Sequence, residues 1–162
     1  QTAGIARGCE IPLTGPWSVE FPSGKITMTD LVCWTTLEKD EFRHHSGAAV
    51  YSTEVEIAEP RGRMILNLGR VESLATVTLN GKSYPTLWTY PYQLDVTDAV
   101  KPGRNELKVE IINSWNNRLA GDAGLPKEKR RSTVTDDPFK PGAALRPAGL
   151  LGPVRLWING PG

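Results

Sequence analysis

A period-two alternation of apolar and polar side chains, cut repeatedly by turn-forming residues, constrains the fold of this chain more than any other feature. It is densest in Leu79–Leu107, LNGKSYPTLWTYPYQLDVTDAVKPGRNEL. Asn80-Gly81 follows the alternating run Ala75–Leu79, and that dipeptide readily takes φ > 0 at both central positions of a hairpin turn. Pro102-Gly103-Arg104-Asn105 then turns the chain into a second alternating run, Glu106–Ile111. Elsewhere Ala49, Tyr51, Thr53, Val55 and Ile57 share one face, opposed by Val50, Ser52, Glu54 and Glu56. Trp17/Val19/Phe21, Met64/Leu66/Leu68, Leu94/Val96 and Val154/Leu156/Ile158 repeat the theme. Roughly eight strands separated by Gly, Pro, Asn and Asp predict an all-β fold, a jelly-roll β-sandwich. The closing strand is expected to return beside the first. Only Thr35–Arg43 offers a helix, and its apolar spacing is poor.

The length of 162 residues suits one domain, 1–162, with its core drawn from 13–158 and large enough to need no staples. A net charge of +1 argues against nucleic acid or a membrane surface as partner. No run approaches the ~18 consecutive apolar residues of a membrane span. The chain opens on Gln1 rather than Met, which reads as a mature form or a segment of something longer. Cys9 and Cys33 flank the predicted first strand. Either they pair in an oxidising compartment or they sit apart as reduced thiols.

Catalytic signatures are missing. The sequence contains no GxSxG elbow, P-loop, GxGxxG or HExxH, and no Cys/His spacing of a metal site. His44-His45 would point to opposite faces of a strand, and Asp136-Asp137 sits in a Pro-flanked turn. Glycoside hydrolysis needs two carboxyls about 5–10 Å apart across a sugar, and nothing here places such a pair. A non-catalytic domain is the expectation. The basic run Lys127-Glu128-Lys129-Arg130-Arg131 is of a kind that can contact phosphates or acidic polymers, but it reads better as a solvated loop face within the long, weakly periodic segment 114–152.

The aromatic residues are more informative. Sugar sites set flat rings against pyranose C–H faces, with amides, carboxylates and guanidinium forks on the hydroxyls. A continuous strand would bury Trp88, Tyr90, Tyr92, Leu94 and Val96 together, but Pro91 interrupts the ladder. Tyr92 is then assigned to the core, while Trp88 and Tyr90 remain candidate ligand-facing rings. Trp115, Asn116, Asn117, Arg118 and Asp122 add one ring and a set of polar heads. Their alternative roles are structural, with Arg118 and Asp122 bridging each other and Asn116 and Asn117 capping turns.

The runs Tyr51–Ile57, Leu66–Val71 and Ala75–Lys82, with Asp95-Val96-Thr97 and Pro102–Leu107, resemble the sugar-binding domain of β-galactosidase-type glycoside hydrolases. Ser46-Gly47, Trp115–Arg118 with Gly121-Asp122, and Gly149–Val154 bring the resemblance closer to the galactose-binding-like domain attached to bacterial α-L-rhamnosidases. The resemblance covers 13–158 and implies a bacterial jelly-roll domain, secreted, periplasmic or on the cell surface, appended to a large catalytic domain. It implies a non-catalytic carbohydrate-binding module of a polysaccharide-degrading enzyme, with plant or algal polysaccharide and the parent catalytic domain as partners. The alternative it leaves is a structural accessory domain without a ligand of its own. No cofactor is required by the resemblance. Many relatives hold a structural calcium, although no dense Asp/Asn string here demands one.

Overall fold

The computed structural model describes residues 8–159. In chain order the strands are β1 (Cys9–Pro12), β2 (Trp17–Phe21), β3 (Gly24–Met28), β4 (Ala48–Ile57), β5 (Arg63–Asn67) and β6 (Arg70–Glu72). They continue as β7 (Leu74–Leu79), β8 (Lys82–Ser83), β9 (Gln93–Asp95), β10 (Gly103–Ile112), β11 (Gly149–Gly152) and β12 (Arg155–Asn159). Two short helices, α1 (Asp40–Arg43) and α2 (Asn116–Asp122), interrupt them. A six-stranded sheet, β3-β2-β4-β10-β7-β8, and a four-stranded sheet, β1-β12-β5-β9, form an all-β sandwich, and β11 pairs with β6 in a separate ribbon. No described helix is long and apolar enough to cross a membrane.

The alternating faces are the core. Trp17, Val19, Phe21, Ala49, Tyr51, Ile57, Ala75, Val77, Leu79, Leu107, Val109 and Ile111 are buried from the larger sheet, and Met64, Leu66 and Leu156 from the smaller. Side chains of period two on both sheets are what allow two layers to share one interior. The turns are as expected. Asn80 and Gly81 have φ of 50° and 82°, and the pairs Thr78↔Ser83 and Leu79↔Lys82 close a tight hairpin around them. Gly103 follows Pro102 with φ 83°, which a side-chain-bearing residue adopts only with strain.

The departures from the sequence reading lie where the alternation is short or carries glycine. β1, β3, β6, β8 and β11 were not in the expected set. The closing strand β12 returns beside β1, with Cys9↔Ile158 through Pro12↔Arg155, rather than beside the Trp17 strand. The helix expected over Thr35–Arg43 shrinks to a single 3-10 turn at Trp34–Thr36 and the one-turn α1. A run of seven residues in the long segment, α2, is helical instead, despite two Asn and a Gly that disfavour helix. Cys9 and Cys33 are separate free thiols. Cys33 Sγ accepts the Ala148 N–H at 3.3 Å, so it helps hold the returning chain.

Candidate functional site

β10 and its neighbours decide where the candidate residues gather. The register sets Ala48 opposite Ile112 and Ile112 opposite Leu74, and a bridge pairs Ala75 with Leu87. Trp88 therefore comes one residue past that bridge, and Trp115 comes three residues past the end of β10. Both leave the same end of the six-stranded sheet. Segment 88–92 is irregular, and only Gln93–Asp95 is strand. Released from a ladder, the rings separate. Tyr92 turns inward and its hydroxyl donates to Ser73 O at 2.8 Å. Trp88 is 75% exposed and Tyr90 81%. Thr86 stays in register with β7 through a 2.8 Å contact between its Oγ1 and that of Thr76.

The second group is built on α2. Asn113 ties the end of β10 to the segment entering β4, its Oδ1 accepting from Gly47 N at 2.8 Å and its Nδ2 donating to His45 O at 3.0 Å. Arg118 N donates to Ser46 Oγ at 3.0 Å. Gly121 lies so close to His44 that a Cβ there would fall 2.6 Å from its Cγ, which explains a glycine inside the helix. His44 and His45 are not in a strand. His45 is buried between Phe21 and Trp34, with ring centroids 5.1 and 5.3 Å away, and its Nε2 lies 2.9 Å from Ala48 O. Burial holds the His45 pKa below its usual value, and the Arg118 cation adds to that.

The five polar candidates divide by burial. Asn117 is 2% exposed, and its amide closes a two-way bond with the Arg146 backbone, donating to O and accepting from N, each at 2.8 Å. Asp122 is 3% exposed. Its Oδ2 accepts from Arg131 N at 3.0 Å, Ser132 N at 2.7 Å and Ser132 Oγ at 2.5 Å. The Asn117 amide and Asp122 Oδ2 are thus engaged in folding the loop. Asn116 Nδ2 donates to Ser114 Oγ at 2.8 Å, a local turn contact. Arg118 and Asp122 do not form an ion pair within 4 Å, contrary to the bridging role the sequence allowed. Removing the buried acceptor in Asp122→Ala strands three donors at once. A loss of about 3 kcal/mol is expected in urea unfolding, with no change in the slope of the transition.

What remains accessible is a groove. Trp115, 63% exposed, lines it with Leu119, Arg131, Ser132, Thr133 and Val134. A second, contiguous depression on the same loop shares Ser132, Thr133 and Val134 and reaches Lys127. Arg131, Ser132 and Thr133 were not among the sequence candidates. The basic run had flagged Arg131 only as part of a solvated face, and no local spacing signals that it turns back to Trp115. The run itself splits. Arg130 Nε donates to Leu125 O at 2.8 Å and its Nη1 pairs with Asp137 at 3.2 Å, so this member is structural. Among the described residues no three His, Cys, Asp or Glu side chains are grouped to hold a metal ion.

Comparison with known proteins agrees with this geometry. Residues 28–144 match the model of the family described as glycosyl hydrolase 2 galactose-binding domain-like. A putative beta-glucuronidase of Formosa agariphila is 39% identical over 180 residues, covering 91% of this chain and 16% of that protein. The rhamnosidase from Novosphingobium sp. PP1Y superposes with a TM-score of 0.85 at 34% identity, over 96% of this chain and 16% of that one. A beta-glucuronidase from Ruminococcus gnavus shares the fold at a TM-score of 0.71 and 17% identity. The chain thus spans about a sixth of the length of the first two of these relatives.

Proposed function

The chain belongs to the glycosyl hydrolase 2 galactose-binding-like domains, and from that premise we propose that it is a non-catalytic carbohydrate-binding domain of a polysaccharide-degrading glycosidase. One observation carries the reading. Trp115 stands exposed in a groove that it shares with Arg131 and Thr133, whose guanidinium and hydroxyl have no partner among the described residues. An indole face suits the C–H side of a pyranose, while a guanidinium and a hydroxyl suit its polar edge. The groove is shallow, so an isolated domain binds weakly, because little area is buried against the desolvation of sugar hydroxyls.

Affinity electrophoresis through gels containing pectin, galactan and rhamnose-containing polymers tests this. At least one polymer is expected to retard the chain, and Trp115→Ala is expected to abolish the retardation. The indole is mostly in solvent, so that substitution shifts the unfolding free energy by no more than about 0.5 kcal/mol. Retardation that survives Trp115→Ala would refute the assigned platform.

A second reading rests on a different observation. Ala48, Ile112 and Leu74 follow one another across the sheet, and Trp88 and Tyr90 stand exposed at the same end of it. This apolar row suits a seat against the remainder of a parent enzyme. In that case the rest of the parent polypeptide, supplied in trans, binds this chain and fails to bind Trp88→Ala/Tyr90→Ala, while no polymer retards it.

A further inference from the structure

Seven of the ten arginines among residues 8–159 pair with a carboxylate: Arg43, Arg61, Arg63, Arg70, Arg104, Arg130 and Arg155. The other three are Arg118, Arg131 and Arg146, and all are tethered to α2. Arg118 is within the helix. The Arg131 backbone N–H is held by Asp122 and the Arg146 backbone by Asn117, both from α2. Among the described residues none of these three guanidinium groups has a hydrogen-bonded or ion-paired partner. Arg131 and Arg146 are exposed and Arg118 is half-buried.

That concentration is unusual for a chain carrying a net charge of only +1. Elsewhere among the described residues each guanidinium has a carboxylate partner, whereas here the neighbouring carboxylate, Asp122, is buried and engaged by the Ser132 loop. Burial pushes the Arg118 pKa down and the Arg131 cation adds to the effect, while Asp122 opposes it. A guanidinium with no ion-pair partner in an accessible groove is stabilised by an anion that enters beside it. Arg131 and Trp115 line the same groove, so a ring platform and an unneutralised fork are offered to one ligand.

We infer that the Trp115 groove selects an acidic sugar, a pyranose bearing a carboxylate or a sulfate ester, with Arg131 as its anion-binding group. The inference rests on the carbohydrate-binding reading above and sharpens it to a substrate class. Guanidinium forks bind carboxylate and sulfate oxygens in paired, directional bonds, which a neutral hydroxyl cannot match in strength. The ring supplies stacking in either case, and the anion supplies discrimination.

The test compares polygalacturonate with its carboxyl-reduced form, and a sulfated galactan with its desulfated form, by affinity electrophoresis and titration calorimetry. Binding to at least one acidic polymer is expected to exceed that to its neutral counterpart about tenfold, and the preferred pair distinguishes uronate from sulfate. Arg131→Gln is expected to remove most of that preference while the protein stays folded. Lys25→Gln/Lys101→Gln, on exposed lysines away from the groove, is expected to leave it intact. Equal binding to acidic and neutral polymers sinks the acidic-sugar inference and leaves the carbohydrate reading standing. An equal loss in the lysine control marks diffuse ion exchange and also sinks it. No binding to any polymer removes both.

Discussion

Gly69→Ala is expected to cost at least about 4 kcal/mol and to loosen the candidate site along with the fold. A Cβ at this position would lie 2.4 Å from the Gly152 carbonyl carbon, 2.5 Å from its oxygen and 2.6 Å from Pro153 O. All three are backbone atoms, so no side chain can swing aside. The φ of +68° adds a conformational penalty for any residue with a Cβ. The close approach exists because Gly69 bridges Gly152 where the β6–β11 ribbon forms. The chain leading into that ribbon carries Ala148, whose carbonyl accepts from Trp34 N at 3.0 Å, and Arg146, which anchors Asn117 of α2. Gly81→Ala is the matched control. Its φ of +82° is just as unfavourable, but nothing lies within 4 Å of the added methyl, so a loss of only about 1 kcal/mol is expected. Chemical denaturation of both variants separates steric exclusion from backbone strain. Equal losses would show that the ribbon can slide to admit a methyl.

Asn105→Ala is expected to cost about 3–4 kcal/mol. Asn105 is fully buried, and its amide is satisfied on every side. Oδ1 accepts from Asn80 Nδ2 at 2.7 Å and from Lys101 N at 2.9 Å. Nδ2 donates to Lys101 O and Gly103 O, each at 2.8 Å. Asn80 in turn accepts from Glu106 N at 2.9 Å and donates to Ala99 O at 2.8 Å. Two hairpin ends are thereby stapled by one amide pair. Truncation leaves four hydrogen-bonding groups, partly shielded from water, without their partner. Asn105→Asp is expected to fare no better, since a buried carboxylate cannot donate to the two carbonyls. A melting curve unchanged in Asn105→Ala would mean that water replaces the amide.

These two sites show what kind of information the sequence carried. Asn80, Gly81, Gly103 and Asn105 were each legible as turn residues, because turn chemistry is local and depends on one residue's own φ and side chain. That Asn80 and Asn105 form a single staple was not legible, since they lie 25 residues apart and meet only after the strands pair. Likewise Gly69 read as part of a strand end, and its need to be glycine comes from a backbone that returns from Gly152. The strands missed, β1, β3, β6, β8 and β11, are short and gain their hydrogen bonds from partners rather than from a pronounced pattern.

The aromatic residues divide in the same way. Pro91 was enough to predict that Tyr92 would part company with Trp88 and Tyr90, because a residue without an N–H cannot continue a ladder. The polar candidates could not be sorted by such a rule. Asn117 and Asp122 looked like sugar-binding heads as readily as Asn116 and Arg118, and burial alone removes them. Arg131, absent from the sequence candidates, enters because the loop from Asp122 to Ser132 folds back on Trp115.

By itself, then, the sequence determined the all-β sandwich, the faces that form its core and the turns that end its strands. Alternation and turn preference are properties of neighbours along the chain, so they survive without a structure. Only the tertiary structure decided which polar groups are spent on holding loops and which are left free. Hydrogen-bond partners and counterions are set by residues far apart in sequence. For this protein that difference leaves Trp115 sharing a groove with Arg131, one of three arginines tethered to one short helix without an ion-pair partner.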